Sequence, residues 1–171
     1  MLARLIALLL LCPTSALAAD WWSYDNAGLG YAIELPPEFH LSDPSNDTDR
    51  LSLSPADRSA MLQVFGTAIG NGDFTTEANG RVALAKDQGW KISYSKSNSR
   101  GISFSGTKQG RIVYVRGVAL CNGGAAFFQM DYSKTDMQRY DAIVMRLARS
   151  LRSTRKCTPT AQAIKNFPVT G

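Results

Sequence analysis

The sequence predicts a small α+β domain built around an antiparallel sheet. Apolar and polar residues alternate along several short segments, as expected for half-buried strands. Turn-forming triplets such as Asn122-Gly123-Gly124 separate two of these segments and favour a hairpin. A single apolar stripe with helical spacing, from Met137 to Leu151, follows the last predicted strand. Together these patterns indicate a sheet of consecutive antiparallel strands with at least one helix packed on it.

The first residues are typical of an export signal and not of this domain. The apolar block at 5–12 follows a positive charge and is shorter than the roughly 20 residues of a membrane-spanning helix. Ala16 and Ala18 supply the small residues that a signal peptidase reads. We therefore assign residues 1–18 to a signal peptide, with cleavage after Ala19 as the alternative cut and an uncleaved anchor as the competing interpretation.

The composition of the remaining 153 residues predicts one exported domain with a single core. Without Arg4, the 19 Lys and Arg of the whole chain become 18, against 14 Asp and Glu. This surplus is mild and does not indicate nucleic-acid binding. No second stretch is apolar enough for a transmembrane anchor. We expect a periplasmic or secreted bacterial protein with one domain at 19–157 and a loosely ordered tail at 158–171.

The N-terminal part predicts a β-hairpin followed by a loop. Two short runs at 21–24 and 30–35 flank a turn that contains Asn and Gly. Pro36 and Pro37 end the second strand because proline has no N–H to donate. The composition at 42–49, rich in Ser, Asp and Asn, predicts a loop.

Two strands and a helix are predicted next. Leucines within 51–53 indicate a short strand, and the run at 61–69 indicates a stronger one. Thr75 or Thr76 can cap a helix, and Gly89 suits the left-handed position just past its end.

The second half predicts a series of strands that ends in a helix. Residues 90–94 alternate with Trp90, Ile92 and Tyr94 on one face, and 102–104 continue in the same way. Both faces of 112–121 are apolar, which indicates a central strand covered on both sides. After a glycine turn, 125–132 return antiparallel and lead into the helical stripe at 137–151.

Cys121 and Cys157 are the two cysteines left after signal removal. The predicted strand carries the chain away from Cys121 by roughly 30 Å, and the predicted helix brings it back by roughly 27 Å. An exported protein with one such pair favours a structural disulfide. A redox-active pair is the alternative, but such pairs usually have Cys-x-x-Cys spacing.

The sequence predicts no catalytic residues, no metal site and no cofactor. His40 is the single histidine, and no Gly-x-Ser-x-Gly motif accompanies it, so we interpret it as a surface imidazole. One histidine and two distant cysteines do not make a zinc site. Asp43, Asp47 and Asp49 lack EF-hand spacing, and a solvated loop is the preferred interpretation.

Basic residues are concentrated on the outer side of the last predicted helix and just beyond it. The members of this strip are Arg139, Arg146, Arg149, Arg152, Arg155 and Lys156. One interpretation is a solubilising face with cations at a helix C-terminus. The other is a surface for anionic lipid heads, cell-wall polymer or an acidic protein. The strip is the best candidate for a binding site that the sequence offers.

The first hairpin also resembles a known family. Residues 24–33 read Tyr-x-Asn-x-x-x-Gly-Tyr-x-Ile, and Pro36 follows, which resembles the opening of the Mog1/PsbP-like superfamily. The last helix, with 140–144 and the ending Ser150-Leu151, resembles the superfamily as well. The resemblance implies an antiparallel sheet with helices on both faces. It also implies a non-enzymatic role, since members are mostly adaptors, accessory subunits or chaperone-like binders.

We therefore expect a non-enzymatic accessory or binding protein of the bacterial envelope. Its partner would be another envelope protein or an anionic envelope component, and not nucleic acid. The alternative is a small envelope hydrolase, or an inhibitor or immunity-type protein that binds one. A cleft that holds His40, or the loop at 43–49, beside a nucleophile would favour the enzyme. An otherwise featureless surface with one basic or apolar patch would favour binding.

Overall fold

The computed structural model describes residues 20–42, 50–70 and 73–157, which form two antiparallel sheets and two helices. The large sheet has the strand order β3-β4-β5-β9-β8-β7-β6. Its strands are β3 (Phe39–Leu41), β4 (Arg50–Pro55), β5 (Ala60–Ala68), β6 (Lys91–Asn98), β7 (Gly101–Lys108), β8 (Arg111–Ala119) and β9 (Gly124–Ser133). The predicted signal peptide at 1–18 and tail at 158–171 lie outside the described residues.

The small sheet contains the predicted first hairpin. Strands β1 (Trp22–Asn26) and β2 (Tyr31–Leu35) pair antiparallel, and β10 (Arg152–Ser153) adds to the other side of β2. The chain after the last helix therefore returns to the first hairpin. This pairing joins the two ends of the described domain.

The helix α2 (Met137–Ser150) and the small sheet cover one face of the large sheet. Tyr140, Val144 and Leu147 of α2 pack against side chains of β9, including Tyr132. Burial of these apolar side chains stabilises the packing of α2 on the sheet, by about 1.5–3 kcal/mol for each large side chain. The predicted stripe is confirmed except at its start, because Met137 is 45% exposed.

The helix α1 (Phe74–Asp87) packs on the opposite face. The ring of Phe127 stacks between Phe65 at 5.6 Å and Phe74 at 6.3 Å, measured between centroids. The predicted N-cap of α1, Thr75 or Thr76, is wrong, because the carboxylate of Asp73 accepts the N–H of Thr76 at 2.7 Å. The prediction for the other end is confirmed, since Gly89 follows the C-cap with a φ of 88°. A carboxylate at this position also interacts favourably with the helix dipole.

Helices on both faces of an antiparallel sheet confirm the predicted fold class, but β6 differs from its prediction. It is an edge strand, and a bulge at Ser93 sets Ile92 opposite Gly106 and Tyr94 opposite Ser105. Because neighbouring residues of β7 point to opposite faces, Ile92 and Tyr94 do too. Tyr94 is consequently 49% exposed. No helix in the three described segments is long and apolar enough to cross a membrane.

Candidate functional sites

Two members of the predicted basic strip form ion pairs with carboxylates of the domain. The Nη1 of Arg139 donates to the Asp57 carboxylate at 2.8 Å. The Nε of Arg146 donates to Glu34 at 2.7 Å, and its guanidinium lies 4.4 Å from the ring of Trp21. These contacts tie α2 to the turn before β5 and to the first hairpin. The strip therefore does not act as one uniform cationic surface.

The other four members form a smaller group that we call the basic end: Arg149, Arg152, Arg155 and Lys156. All four are exposed. Arg152 and Arg155 donate to main-chain carbonyls, of Ser150 at 3.1 Å and Ala27 at 3.4 Å. Within the described segments, no carboxylate lies within 4.0 Å of a cationic nitrogen of the basic end. Its positive charge is therefore available to an anionic partner.

The basic end is held in place by main-chain pairing and by a disulfide. Arg152 of β10 pairs with Ala32 of β2, and the N–H of Thr154 donates to the carbonyl of Gly30 at 3.0 Å. The structure joins Cys121 to Cys157, with Cα atoms 4.6 Å apart, in agreement with the predicted pairing. These constraints fix the backbone that carries the cations.

A second candidate site is an open cleft of about 840 Å³ on the α1 side of the large sheet. We call it the polar cleft. Its polar lining consists of His40, Ser42, Ser52, Ser54, Arg58, Gln63, Arg111 and Asp131. The floor is made by strand alternation: Leu51 and Leu53 of β4 point into the core, while the two serines of β4 point outward. Ser52 lies opposite Gln63 of β5, so their side chains share this face.

Arg58 reaches the cleft from the turn between β4 and β5. Its φ of 53° lies in the left-handed region, which residues other than glycine rarely adopt. The turn is fixed by Asp57, which accepts from the N–H of Ser59 at 3.1 Å, from its hydroxyl at 2.6 Å and from Arg139. The Ser59 hydroxyl and then the Arg139 guanidinium hold the pKa of Asp57 well below its ordinary range. Ser59 also lies 2.5 Å from the hydroxyl of Tyr140, which anchors the turn on α2.

On another side of the cleft, Arg111 of β8 is oriented by Asp131 of β9. Its Nε donates to Oδ1 of Asp131 at 2.8 Å, and its Nη2 donates to the same oxygen. The two side chains are 42% and 20% exposed. One cation and one carboxylate therefore sit in a fixed arrangement at this point of the lining.

His40 lies in the polar cleft, opposite Ser54 in the register of β3 and β4. In the part of the chain that the structure describes, no hydrogen bond joins its imidazole to a serine or an aspartate. A nucleophile activated by a general base requires such a bond. The loop at 43–49 lies outside the described residues, and within those residues there is no group of three or more His, Cys, Asp or Glu that could hold a metal.

The fold is shared with solved structures. The solution structure of cyanobacterial PsbP (CyanoP) from Synechocystis sp. PCC 6803 matches with a TM-score of 0.62 and 11% identity, over 83% of this chain and 96% of that chain. The chain has the Mog1/PsbP-like fold. The crystal structure of the Ran-binding protein Mog1p from Saccharomyces cerevisiae matches with a TM-score of 0.57 and 7% identity, over 79% and 96%. No family model and no curated protein sequence matches the chain.

Identities this low establish the fold alone, so the resemblance read from the sequence is confirmed at that level. In this Mog1/PsbP-like chain, α2 and the polar cleft lie on opposite faces of the large sheet. The four residues of the basic end were candidates from the sequence, whereas Arg58 and Arg111 were not. A signal was present, since Ser52 and Ser54 alternate with leucines and Gln63 alternates with apolar neighbours in β5. Which polar faces meet in one cleft depends on strand order.

Proposed function

We propose that the mature protein is a non-enzymatic binding or accessory protein of the bacterial envelope, and that it holds an acidic partner on the basic end. The observation that carries the proposal is the group of four exposed cations without a carboxylate partner among the described residues. Arg139 and Arg146 are excluded from this surface because their charges are used within the domain.

The constrained backbone that carries the basic end supports this function. Ordering a flexible cationic segment on binding would cost about 0.5–1.5 kcal/mol for each long side chain, in addition to the backbone. Pairing of β10 with β2 and the Cys121–Cys157 bridge reduce the backbone part of that cost. Clustered cations also raise the association rate with an acidic surface, an effect that salt screens.

The test is charge reversal with a matched control. The variant carries Arg149→Glu, Arg152→Glu and Lys156→Glu, and Arg155 is kept because it contacts the hairpin turn. The control variant carries Lys86→Glu, Lys96→Glu and Arg100→Glu, which are exposed side chains with the same total charge change. Purified mature protein is sedimented with isolated bacterial envelopes at low and at physiological salt.

We expect the parent and the control variant to sediment with envelopes, with less binding at higher salt, and the basic-end variant to lose about tenfold in affinity. Protease-treated envelopes and phosphatidylglycerol vesicles separate the two classes of partner. Loss of binding after protease treatment identifies a protein, and retained binding to vesicles identifies an anionic lipid surface. Equal loss in both charge variants would refute a role for the basic end, because only net charge would then matter.

A further inference from the structure

We infer that the polar cleft is a binding site for an anionic saccharide, meaning a hydroxyl-bearing ring that carries a carboxylate or a phosphate. This inference does not rest on the proposed function, since the cleft and the basic end use different residues. It combines three features: an excess of guanidinium groups in the lining, a strained backbone at Arg58, and a floor of hydroxyl and amide groups.

The charges of the cleft favour an anion. Arg58 and Arg111 line it together, and Asp131 is the one carboxylate among the described lining residues. Asp131 accepts both of its bonds from Arg111 on a single oxygen. The guanidinium of Arg58 makes no hydrogen bond or ion pair within the described segments. One complete fork of donors is thus left for a ligand, and such forks suit carboxylate and phosphate oxygens.

The backbone conformation at Arg58 is the second feature. A residue with a side chain loses about 1–2 kcal/mol in the left-handed region, and the contacts of Asp57 and Ser59 hold the turn there. Among the described residues, no hydrogen bond or ion pair of the Arg58 side chain offsets the cost of this conformation. Backbone strain of this kind is concentrated at binding and catalytic sites. Recognition of an anion by the Arg58 guanidinium would account for an arginine at a position where glycine is less strained.

The polar side chains of the cleft floor indicate that the ligand carries several hydroxyl groups. Ser52, Ser54, Gln63 and His40 present donors and acceptors from three adjacent strands. A ligand with many hydroxyls can satisfy such a surface. An acidic peptide would instead be expected to pair with the main chain of an edge strand. Here that strand is β3, at the rim of the cleft, whereas the floor is made by side chains of β4 and β5, whose main chains are already paired. The volume of about 840 Å³ also lies within the range of small-ligand sites.

The central experiment compares two glycine substitutions in the mature protein. Gln109 has a φ of 48° in the turn between β7 and β8 and does not line the polar cleft. Arg58→Gly and Gln109→Gly should therefore relieve similar strain, and each should raise the thermal midpoint by about 1–3 °C. Binding is measured by calorimetry with three probes: trigalacturonic acid for the carboxylate, glucose 6-phosphate for the phosphate, and neutral maltotriose.

We expect one of the two anionic probes to bind at least tenfold more tightly than maltotriose, and which one binds distinguishes carboxylate from phosphate. Arg58→Gly should weaken that binding by about tenfold or more, as loss of a charge-assisted hydrogen bond does, while Gln109→Gly leaves it unchanged. A second variant, Ser54→Leu, fills the floor and should weaken binding without removing a charge.

Three results would overturn the inference. The first is no binding of either anionic probe below about 1 mM, an affinity of roughly 4 kcal/mol. The second is an Arg58→Gly variant that is stabilised and still binds like the parent. The third is binding of an aspartate-rich peptide that Arg58→Gly weakens while neither saccharide binds, because the cleft would then belong to a peptide.

Discussion

Removal of the Cys121–Cys157 bridge tests how the described domain is held together. The perturbation is the double substitution Cys121→Ser and Cys157→Ser, which leaves no unpaired thiol in the mature chain. The bridge spans 36 positions and encloses β9, α2 and β10. These elements keep their packing in the variant, because the bridge lies at the ends of the enclosed segment. The effect is therefore expected mainly in the unfolded chain.

Its magnitude follows from the entropy of closing a loop of this length. For 36 residues the chain-entropy relation gives about 13 cal/mol/K, or about 4 kcal/mol at 25 °C. We expect the free energy of unfolding to fall by about 3–4 kcal/mol. With a urea dependence of about 2 kcal/mol per molar, the midpoint should drop by nearly 2 M at an unchanged slope.

The assay is urea unfolding followed by tryptophan fluorescence, with the parent in reductant as a second reference. Reduced parent and double variant should share one midpoint. Native-state hydrogen exchange at the Thr154 N–H, which donates to Gly30, should also accelerate, because the end of the domain is no longer covalently held. A stability change below about 1 kcal/mol, or two titratable thiols in protein purified without reductant, would refute the reasoning.

Four other predictions test separate parts of the structure. Gly117→Ala should lower the free energy of unfolding by about 1–3 kcal/mol in urea, because a Cβ there would overlap the ring of Phe127. Asp57→Asn should make the free energy of unfolding less dependent on pH in acid. The folded pKa of Asp57 lies below its ordinary value of 3.8, so the carboxylate stabilises the fold above that pH and loses this contribution as the pH falls below it. His40→Ala should leave envelope sedimentation and the urea midpoint unchanged, whereas a large loss of sedimentation at an unchanged midpoint would revive the enzyme alternative. N-terminal sequencing of exported protein should begin at residue 19 or 20, whereas a start at residue 1 would contradict the predicted signal.

The fold was predictable where local pattern decides structure. Two apolar faces identified β8, helical spacing identified the buried stripe of α2, and alternation identified β7. It failed at β6, where one bulged residue, Ser93, moves Tyr94 to the other face. A bulge depends on how two strands pair and has no fixed local pattern. The N-cap of α1 was missed by two or three residues, since Asp73, Thr75 and Thr76 are all acceptable N-caps by residue type.

The candidate sites were less predictable because their contacts join distant parts of the sequence. Arg139 meets Asp57 across 82 positions, and Arg146 meets Glu34 across 112. Nothing local to α2 distinguishes these two paired arginines from Arg149, which has no such partner among the described residues. The left-handed turn at Arg58 is equally hidden, because residue preference at that position favours glycine.

The position of the polar cleft follows from the dimensions of the large sheet. Seven strands about 4.8 Å apart place the edge strands roughly 29 Å from each other. A helix of 14 residues is about 21 Å long and about 10 Å across. Because α1 packs against β6 and β7, it leaves the outer side of β4 and much of β5 uncovered. Most side chains there are polar, with Met61 as an exposed exception, and their backbones are fixed by pairing and by a core on the opposite face. Substitutions at Ser52, Ser54 or Gln63 can therefore change what the cleft binds without touching Leu53 or Leu62 beneath it. This separation allows the residues of the half-covered face to change while the core of the large sheet is kept.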